Sequence, residues 1–392
     1  MTPEEARREF PALDTMTYAN VSVQALVPTR TRLAVEAYVR QRCSGTLPKG
    51  DALAAVEGAR ARFADLIGAQ PDEIATIKNV SEGINLIAGA LDWAPGDNVV
   101  LCQDLEHPSN VFPWYNQARR LGVEVRAVPS VDGRIPVDRM IAAMDGRTRL
   151  VTAPTVGFSP GFRTETAPLA EACRHRGAFF LLDAAQSVGV LLTDVEALGA
   201  HALAVATQKG LMSFYGTGFL YCRREVAEEL MPPSLGRYGV RFGPGVGETA
   251  TEGSEFEYAA GARRFDAGNF NYLGYTAAAA SLSLIDEIGS EKIEAHVLGL
   301  ARRLAQGLLD LGLPVCGGEA PPDRVHIVTV GRPGDGGHDT SSDPRIRDLY
   351  EYLSNHGVVL SIRRGVLRFS FHVYNNDSDV QRILQLVGAW RD

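Results

Sequence analysis

The chain has few of the signatures that assign an enzyme quickly. Its 392 residues contain no GxxxxGK[ST] phosphate loop and no HExxH helix. Eight histidines never fall at metal-ligand spacing, so no metal site is expected. The five cysteines (Cys43, Cys102, Cys173, Cys222, Cys316) are an odd number without a CxxC pair, which fits a reducing compartment better than a disulfide framework. Cationic charge is short: 39 Lys and Arg face 47 Asp and Glu, a net charge of −8, so no basic excess is available for a nucleic acid or an anionic membrane. No apolar run approaches the roughly 18–20 residues that span a bilayer. The opening residues, Met1 to Arg8, are charged and lack the apolar stretch of a signal peptide, so a cytoplasmic location is expected.

What is present is an ordinary globular composition, 45% apolar and 22% charged. The length favours two packed domains, since single cores rarely grow past about 250–300 residues. After an amphipathic stretch at 31–42, helix-like and strand-like segments alternate from about residue 51. Strands are expected at 73–78, 98–102, 123–128, 150–153, 178–182, 203–206 and 218–222, with helices at 54–67, 83–91, 113–121 and 167–176 among them. Short apolar strands separated by helices predict a mostly parallel α/β sheet, buried on both faces. Residues 232–263 are rich in Gly, Pro and Glu and read as an excursion over the surface or towards a partner subunit. A long Ala-rich helix at 275–288 follows, and then a smaller α+β pattern: helix 293–311, strand 324–330, a Gly/Asp/Ser-rich loop at 331–343 expected to be flexible, helix 345–355, strands 358–362 and 366–371, and helix 377–390. The expected division is an N-terminal segment 1–50 packing on both domains, a large domain 51–288 and a small C-terminal domain 289–392.

Polar residues at strand ends are the chemical candidates, because ligands of α/β sheets sit at the carboxyl ends of strands. Asp183-Ala184-Ala185-Gln186 ends one apolar strand; taken alone, its Asp is equally a helix cap. Thr207-Gln208-Lys209 follows another strand, where a lone lysine is usually a solvated loop residue. Asn79-Val80-Ser81-Glu82-Gly83 joins a strand to a helix whose free N–H groups suit a phosphate. Leu105-Glu106-His107-Pro108-Ser109-Asn110 is a further polar cluster after a strand. Gly243-Pro244-Gly245-Val246-Gly247 looks superficially like a dinucleotide loop, but it follows no strand and opens no helix.

The order and spacing of these segments resemble the class V aminotransferase family of fold-type I pyridoxal-phosphate (PLP) enzymes, a group that includes cysteine desulfurases and isopenicillin-N-epimerase-like proteins. The resemblance runs from about Tyr18 to the C-terminus. The family's DAxQ motif appears as Asp183–Gln186, its Schiff-base strand as Ala206-Thr207-Gln208-Lys209, and its GPxGxGFLY segment as 213–221. Its RFExGT segment appears as Arg264-Phe265-Asp266-Ala267-Gly268-Asn269, and its C-terminal motif as 367–375, with Arg368 at the arginine. The resemblance implies a large, mostly parallel sheet domain with a small α+β domain, and PLP as cofactor. It implies that Lys209 forms the internal aldimine and then moves the substrate's α-proton through a quinonoid, that Asp183 pairs with the pyridine nitrogen, that Gln186 meets the phenolic oxygen and that His107 stacks on the ring. Ser81, Glu82 and Gly83 would hold the phosphate, helped by Thr207 or Gln208. Asn269 would complete the phosphate site of the other subunit, which implies a homodimer. Arg368 would clamp the carboxylate of an amino-acid substrate, with Asn20 nearby.

The departures narrow the chemistry. The stretch 360–365, where cysteine desulfurases carry a catalytic cysteine, has none. Gln208 stands where an aromatic or imidazole residue usually precedes the lysine, Ala206 replaces a serine or aspartate, and Phe158 occupies the position that backs the phenolic oxygen. The run Gly161-Phe162-Arg163 and the segment 216–221 are nearer to aminotransferase and isopenicillin-N-epimerase-like members. The expectation is therefore an aminotransferase, with a β-eliminating C–S lyase or an epimerase as the alternative and a non-catalytic binding relative as a remote one. Arg237, Arg241, Arg363 and Arg364 are candidates to bind a second anionic group; their plain alternative is a solvated basic edge.

Overall fold

A computed structural model describes residues 1–241 and 256–391. Its centre is a seven-stranded sheet of β1 (Ile74–Ile77), β2 (Asn98–Leu101), β3 (Glu124–Ala127), β4 (Thr148–Pro154), β5 (Phe179–Asp183), β6 (Ala202–Ala206) and β7 (Gly218–Cys222), in the order β1-β7-β6-β5-β4-β2-β3. All run parallel except β7, which is antiparallel to both its neighbours. The inner strands are apolar without alternation; Phe179-Phe180-Leu181-Leu182-Asp183 is buried along its whole length because helices cover both faces. Each strand predicted for this sheet is present, with ends shifted by one or two residues.

Helices α1 (Thr29–Ser44) and α2 (Lys49–Ile67) pack against the long α4 (Tyr272–Ile288), while α3 (Val80–Ala90) lies between β1 and the site. Helix α2 is fixed to the sheet by an ion pair that the sequence did not advertise. Arg60, fully buried, reaches Asp266 at 2.8 Å, and Asp266 also accepts from the Thr76 amide (2.8 Å) and hydroxyl (2.7 Å). Asp266 and Arg264, which caps the Glu228 and Leu230 carbonyls, give this motif a structural task.

After α5 (Ser290–Asp310), a three-stranded antiparallel sheet is ordered β8 (Ile327–Val330), β10 (Val366–Ser370), β9 (Ser361–Arg363), backed by helices Pro344–Asn355 and Asp377–Arg391. The N-terminal residues Thr17–Tyr18 pair in parallel with Val358–Val359, Asn20 bridges to Ser370, and the Ala25 amide donates to the Gln208 carbonyl at 2.8 Å. Residues 331–343, expected to be flexible, are tied to the β9–β10 turn. Gly334 N donates to Arg364 O (2.7 Å), Gly365 N to Thr340 O (3.0 Å), and Ser341 Oγ to Gly365 O (2.8 Å). In the excursion, Val240–Arg241 pairs with Glu257–Tyr258, and the Gly243–Gly247 run lies outside the described residues. Among the described residues no helix is long and apolar enough to cross a membrane.

Candidate active site

The carboxyl ends of β1, β2, β5 and β6 converge with the β9–β10 hairpin on a cavity of about 270 Å³. Its walls include Ser81, His107, Asp183, Gln186, Gln208, Lys209 and Arg368, so seven of the residues singled out from the sequence come together here. Residues scattered over nearly three hundred positions meet because parallel strands bring successive loops to the same edge of the sheet.

Lys209 follows β6 by three residues. Of the four lysines in the chain, Lys49, Lys78 and Lys292 are exposed and only Lys209 lines this cavity. Burial lowers its pKa to about 8, against the pull of Asp183, and Arg368 and Arg363 lower it further. Its turn is set by glycine. A Cβ on Gly210 would stand 2.1 Å from the Val188 carbonyl oxygen, and one on Gly189, at φ +87°, would stand 2.3 Å from the Gly210 oxygen. Behind the turn, His372 Nε2 lies 2.9 Å from the Gly210 carbonyl, fastening the C-terminal motif to the lysine loop.

Asp183 is the last residue of β5. Its Oδ1 accepts from the Ala185 amide at 2.9 Å, while Oδ2 carries no hydrogen bond. Burial raises its pKa, partly offset by that amide and by Lys209. Gln186 donates from Nε2 to the Ser22 carbonyl at 3.1 Å, and its Oε1 is buried without a partner, as are Gln208 Oε1 and Ser22 Oγ on the same lining. Buried polar atoms are ordinarily paired, so this cluster of orphans along one wall is what a site awaiting a polar ligand presents.

His107 belongs to the loop after β2. Ser81 Oγ lies 2.9 Å from Ser109 Oγ, which lies 2.9 Å from His107 Nδ1, and Nδ1 also accepts from the Ser109 amide at 3.2 Å. Nδ1 is thus an acceptor, and the ring face is left open to the cavity. The surrounding protein and the positive charges of Lys209, His338 and Arg363 hold the His107 pKa at about 4, so the ring is neutral at physiological pH.

The start of α3 differs in detail from expectation. Asn79 caps it, its Oδ1 accepting from Glu82 N at 2.9 Å and its carbonyl from Gly83 N at 3.3 Å. Those two amides are therefore engaged within the helix, and the free N–H groups belong to Val80 and Ser81. Gly83 serves packing, since a Cβ there would meet Ile77 Cδ1 at 2.9 Å. Thr207 likewise turns inward, its hydroxyl 2.7 Å from Phe214 O and 3.1 Å from Thr217 O. Neither Thr207 nor Asn20 lines the cavity, and Asn269 is exposed on the surface of its own chain.

Arg368 is 1% exposed; Nη1 donates to Phe158 O at 2.6 Å and Nε to Ser361 Oγ at 3.3 Å. Burial and the neighbouring Arg363 lower its pKa to about 9, and no carboxylate pairs with it among the described residues. Of the four other arginines proposed for an anion, only Arg363 lines the cavity. Arg364 donates to the Asp104 carbonyl, Arg241 pairs with Glu257 at 3.2 Å, and Arg237 lies over the Tyr238 ring at 4.7 Å.

The structure adds residues that the sequence left unassigned. Ser109 links Ser81 to His107, and Glu106 is buried beside Asp183 with both carboxylate oxygens unpaired and its pKa raised by burial and by that aspartate. Both stand in the polar cluster 105–110, so the signal was there. Phe158 and Tyr215, both within stretches already compared with the family, border the cavity too, and His338 does so without any motif to announce it.

Lys209 with no hydrogen-bond partner, the free Asp183 oxygen, the open His107 ring and the free helix-start amides together fit an aromatic aldehyde phosphate. None of the five cysteines, all of them free thiols, lines the cavity.

The model of the class-V aminotransferase family matches residues 35–383. Similar proteins include an uncharacterized aminotransferase, YcbU, of Bacillus subtilis (strain 168), 30% identical over 390 residues, which are 99% of this chain and 98% of the relative. A probable cysteine desulfurase of Methanothermobacter thermautotrophicus is 30% identical over 97% of this chain and 96% of its own length. The apo structure of a cysteine desulfurase from Thermococcus onnurineus NA1 matches with a TM-score of 0.84 at 27% identity, covering 99% of this chain and 98% of that one. The chain belongs to the class-V aminotransferase family and has the fold-type I architecture of its PLP-dependent enzymes.

Proposed function

We propose that this chain is a PLP-dependent enzyme that binds its cofactor at Lys209 and acts as an aminotransferase on an α-amino acid. The observation that carries this is the one lysine that lines the cavity, its pKa lowered to about 8, near an aspartate whose outer oxygen is unpaired. PLP bound there supplies an aldehyde that takes up amines and a ring that accepts the electrons left when a bond to Cα breaks. The protein's own groups do the rest. Asp183 Oδ2 holds a proton on the ring nitrogen, and the neutral His107 ring covers one face. Gln186 and Gln208 offer their unpaired amide oxygens and the N–H groups beside them to the polar edge. Ser81, at the head of the helix it shares with Glu82 and Gly83, receives the phosphate together with the free amides. Arg368 presents its remaining Nη2 edge to the substrate carboxylate, a planar fork suited to that group. Lys209 Nζ, once displaced, is placed to move the α-proton, and its lowered pKa suits a base working near neutrality.

The active unit proposed is a homodimer in which the exposed Asn269 of one subunit reaches the phosphate site of the other. Thr207 holds the lysine turn, and Asn20 stands at the substrate side of the N-terminal segment. The proposed division is a segment 1–50, a large domain 51–288 and a small domain 289–392, with the cavity where all three meet. A cytoplasmic location is supported by five free thiols.

A second reading, a C–S lyase, is favoured by the relatives named cysteine desulfurase, with an epimerase as the other alternative. One experiment separates these readings. The visible spectrum of the PLP-loaded protein is taken with a panel of amino acids, then again after desalting. A band that is lost and stays lost means that the amino group has passed to the cofactor, as aminotransfer requires. A band that returns unaided means cleavage or inversion of the substrate.

A further inference from the structure

Arg368 and Arg363 stand on one face of the β9–β10 hairpin. Ser361 pairs directly with Arg368, and Arg363 is two residues further along the same strand, so the two arginines hold diagonal positions on one face, about 7–8 Å apart along the backbone, and both line the cavity. Arg363 is 16% exposed at its side chain. Its Nη1 is held by Asp339 and by the Ile362 carbonyl at 2.8 Å, which orients the fork and leaves Nε and Nη2 without partners. Asp339 is itself largely exposed and does not line the cavity. The lining therefore carries Lys209, Arg363 and Arg368 against a single carboxylate, Asp183. Arg368 is buried with no carboxylate partner among the described residues, and Arg363 is paired only through Nη1 with the exposed Asp339, so the wall still favours an added anion. With Arg368 given to the α-carboxylate, one bidentate edge of Arg363 is left over.

We propose that Arg363 is a specificity-determining residue that binds a second carboxylate, so that the preferred substrates are short dicarboxylic amino acids. Asp339 acts as a positioning residue that aims the Arg363 fork. This rests on the PLP reading above, in which Arg368 takes the α-carboxylate. The alternative, one carboxylate held between both arginines, predicts no gain from a second carboxylate, and that distinction can be measured.

The test uses the PLP-loaded protein and unreactive probes of matched length, succinate against butyrate and glutarate against valerate, with calorimetric binding as the readout. At least one dicarboxylate is expected to bind tenfold or more tightly than its monocarboxylate partner. Arg363→Met is expected to erase that ratio, and Asp339→Asn, which leaves the Arg363 charge in place, to keep most of it. The kcat/KM ratio of glutamate or aspartate to norvaline is expected to fall at least tenfold in Arg363→Met. Equal binding of both probe classes to the native protein overturns the proposal, as does equal loss in both variants, which would make Arg363 only a fastener of residues 331–343. The visible cofactor band in each sample keeps this outcome apart from failure of the PLP reading: without a band at Lys209, that reading fails first.

Discussion

At the residue scale the site works by withdrawing groups from water. Lys209 titrates near 8 instead of its ordinary 10.5 because burial disfavours the ammonium form. Capture of PLP by the cofactor-free protein should therefore accelerate with pH around a midpoint near 8, followed by stopped-flow absorbance; a midpoint near 10.5 would mean that the lysine is solvated. Glu106 behaves in the opposite sense. Its folded pKa is raised, so the folded chain holds a proton that the unfolded chain gives up as pH rises above about 4.5, and stability is lost through that window. Glu106→Gln, which removes the ionisation, is expected to be as stable as the native chain at pH 5 and more stable at pH 8. A loss of more than about 2 kcal/mol at pH 8 in urea denaturation would show that the carboxylate is needed in its charged form. Lys209, Asp183 and Arg368 were legible in the sequence because their motifs are local. The pairing of Glu106 with Asp183 was not, because it joins positions 77 residues apart (183 − 106) across neighbouring loops.

Elements carry the geometry that single residues cannot hold. The lysine turn depends on Gly210 lying against the Val188 carbonyl, so Gly210→Ala is expected to displace the turn and weaken PLP retention at least tenfold, read by equilibrium dialysis. Unchanged retention would mean that the 188–190 turn yields freely. Helix α2 is fixed to β1 through Arg60 and Asp266, both fully buried. Arg60→Ala leaves a buried carboxylate without its partner and is expected to cost about 3–5 kcal/mol, while Arg60→Met with Asp266→Leu should recover most of that loss. Equal losses in the two would locate the defect in packing. Helix and strand positions followed from apolar periodicity, with ends off by a few residues. The parallel pairing of Thr17–Tyr18 with Val358–Val359 escaped because two residues carry no period. Loop 331–343 was misjudged for a related reason: its Gly, Asp and Ser content predicts mobility, whereas its backbone bonds to 364–365 pin it in place and bring His338 to the cavity.

Over the whole molecule, three histidines wholly or partly away from the solvent share one electrostatic condition. Burial lowers His201 and His372 to about 4 and His326 to about 3, against an ordinary 6.5. Below about 6.5 the unfolded chain takes up protons that the folded chain refuses, so stability falls as pH drops from about 6.5 towards 4. The melting temperature should decline steadily across that window, and a flat profile would contradict the neutral state assigned to these rings. The two-part architecture, its mostly parallel sheet and the family itself were readable from five ordered motifs. The second anion position was readable only as a set of arginines, since choosing Arg363 from among Arg237, Arg241 and Arg364 required the hairpin's register. The central claim is that the cofactor is held at Lys209. Borohydride reduction of the PLP-loaded protein, followed by peptide mass mapping, tests it most directly, because the chain offers only Lys49, Lys78, Lys209 and Lys292. The phosphopyridoxyl group should be found on Lys209 alone and be absent from Lys209→Ala; its absence from the native chain, or its presence on one of the three exposed lysines instead, would contradict the assignment.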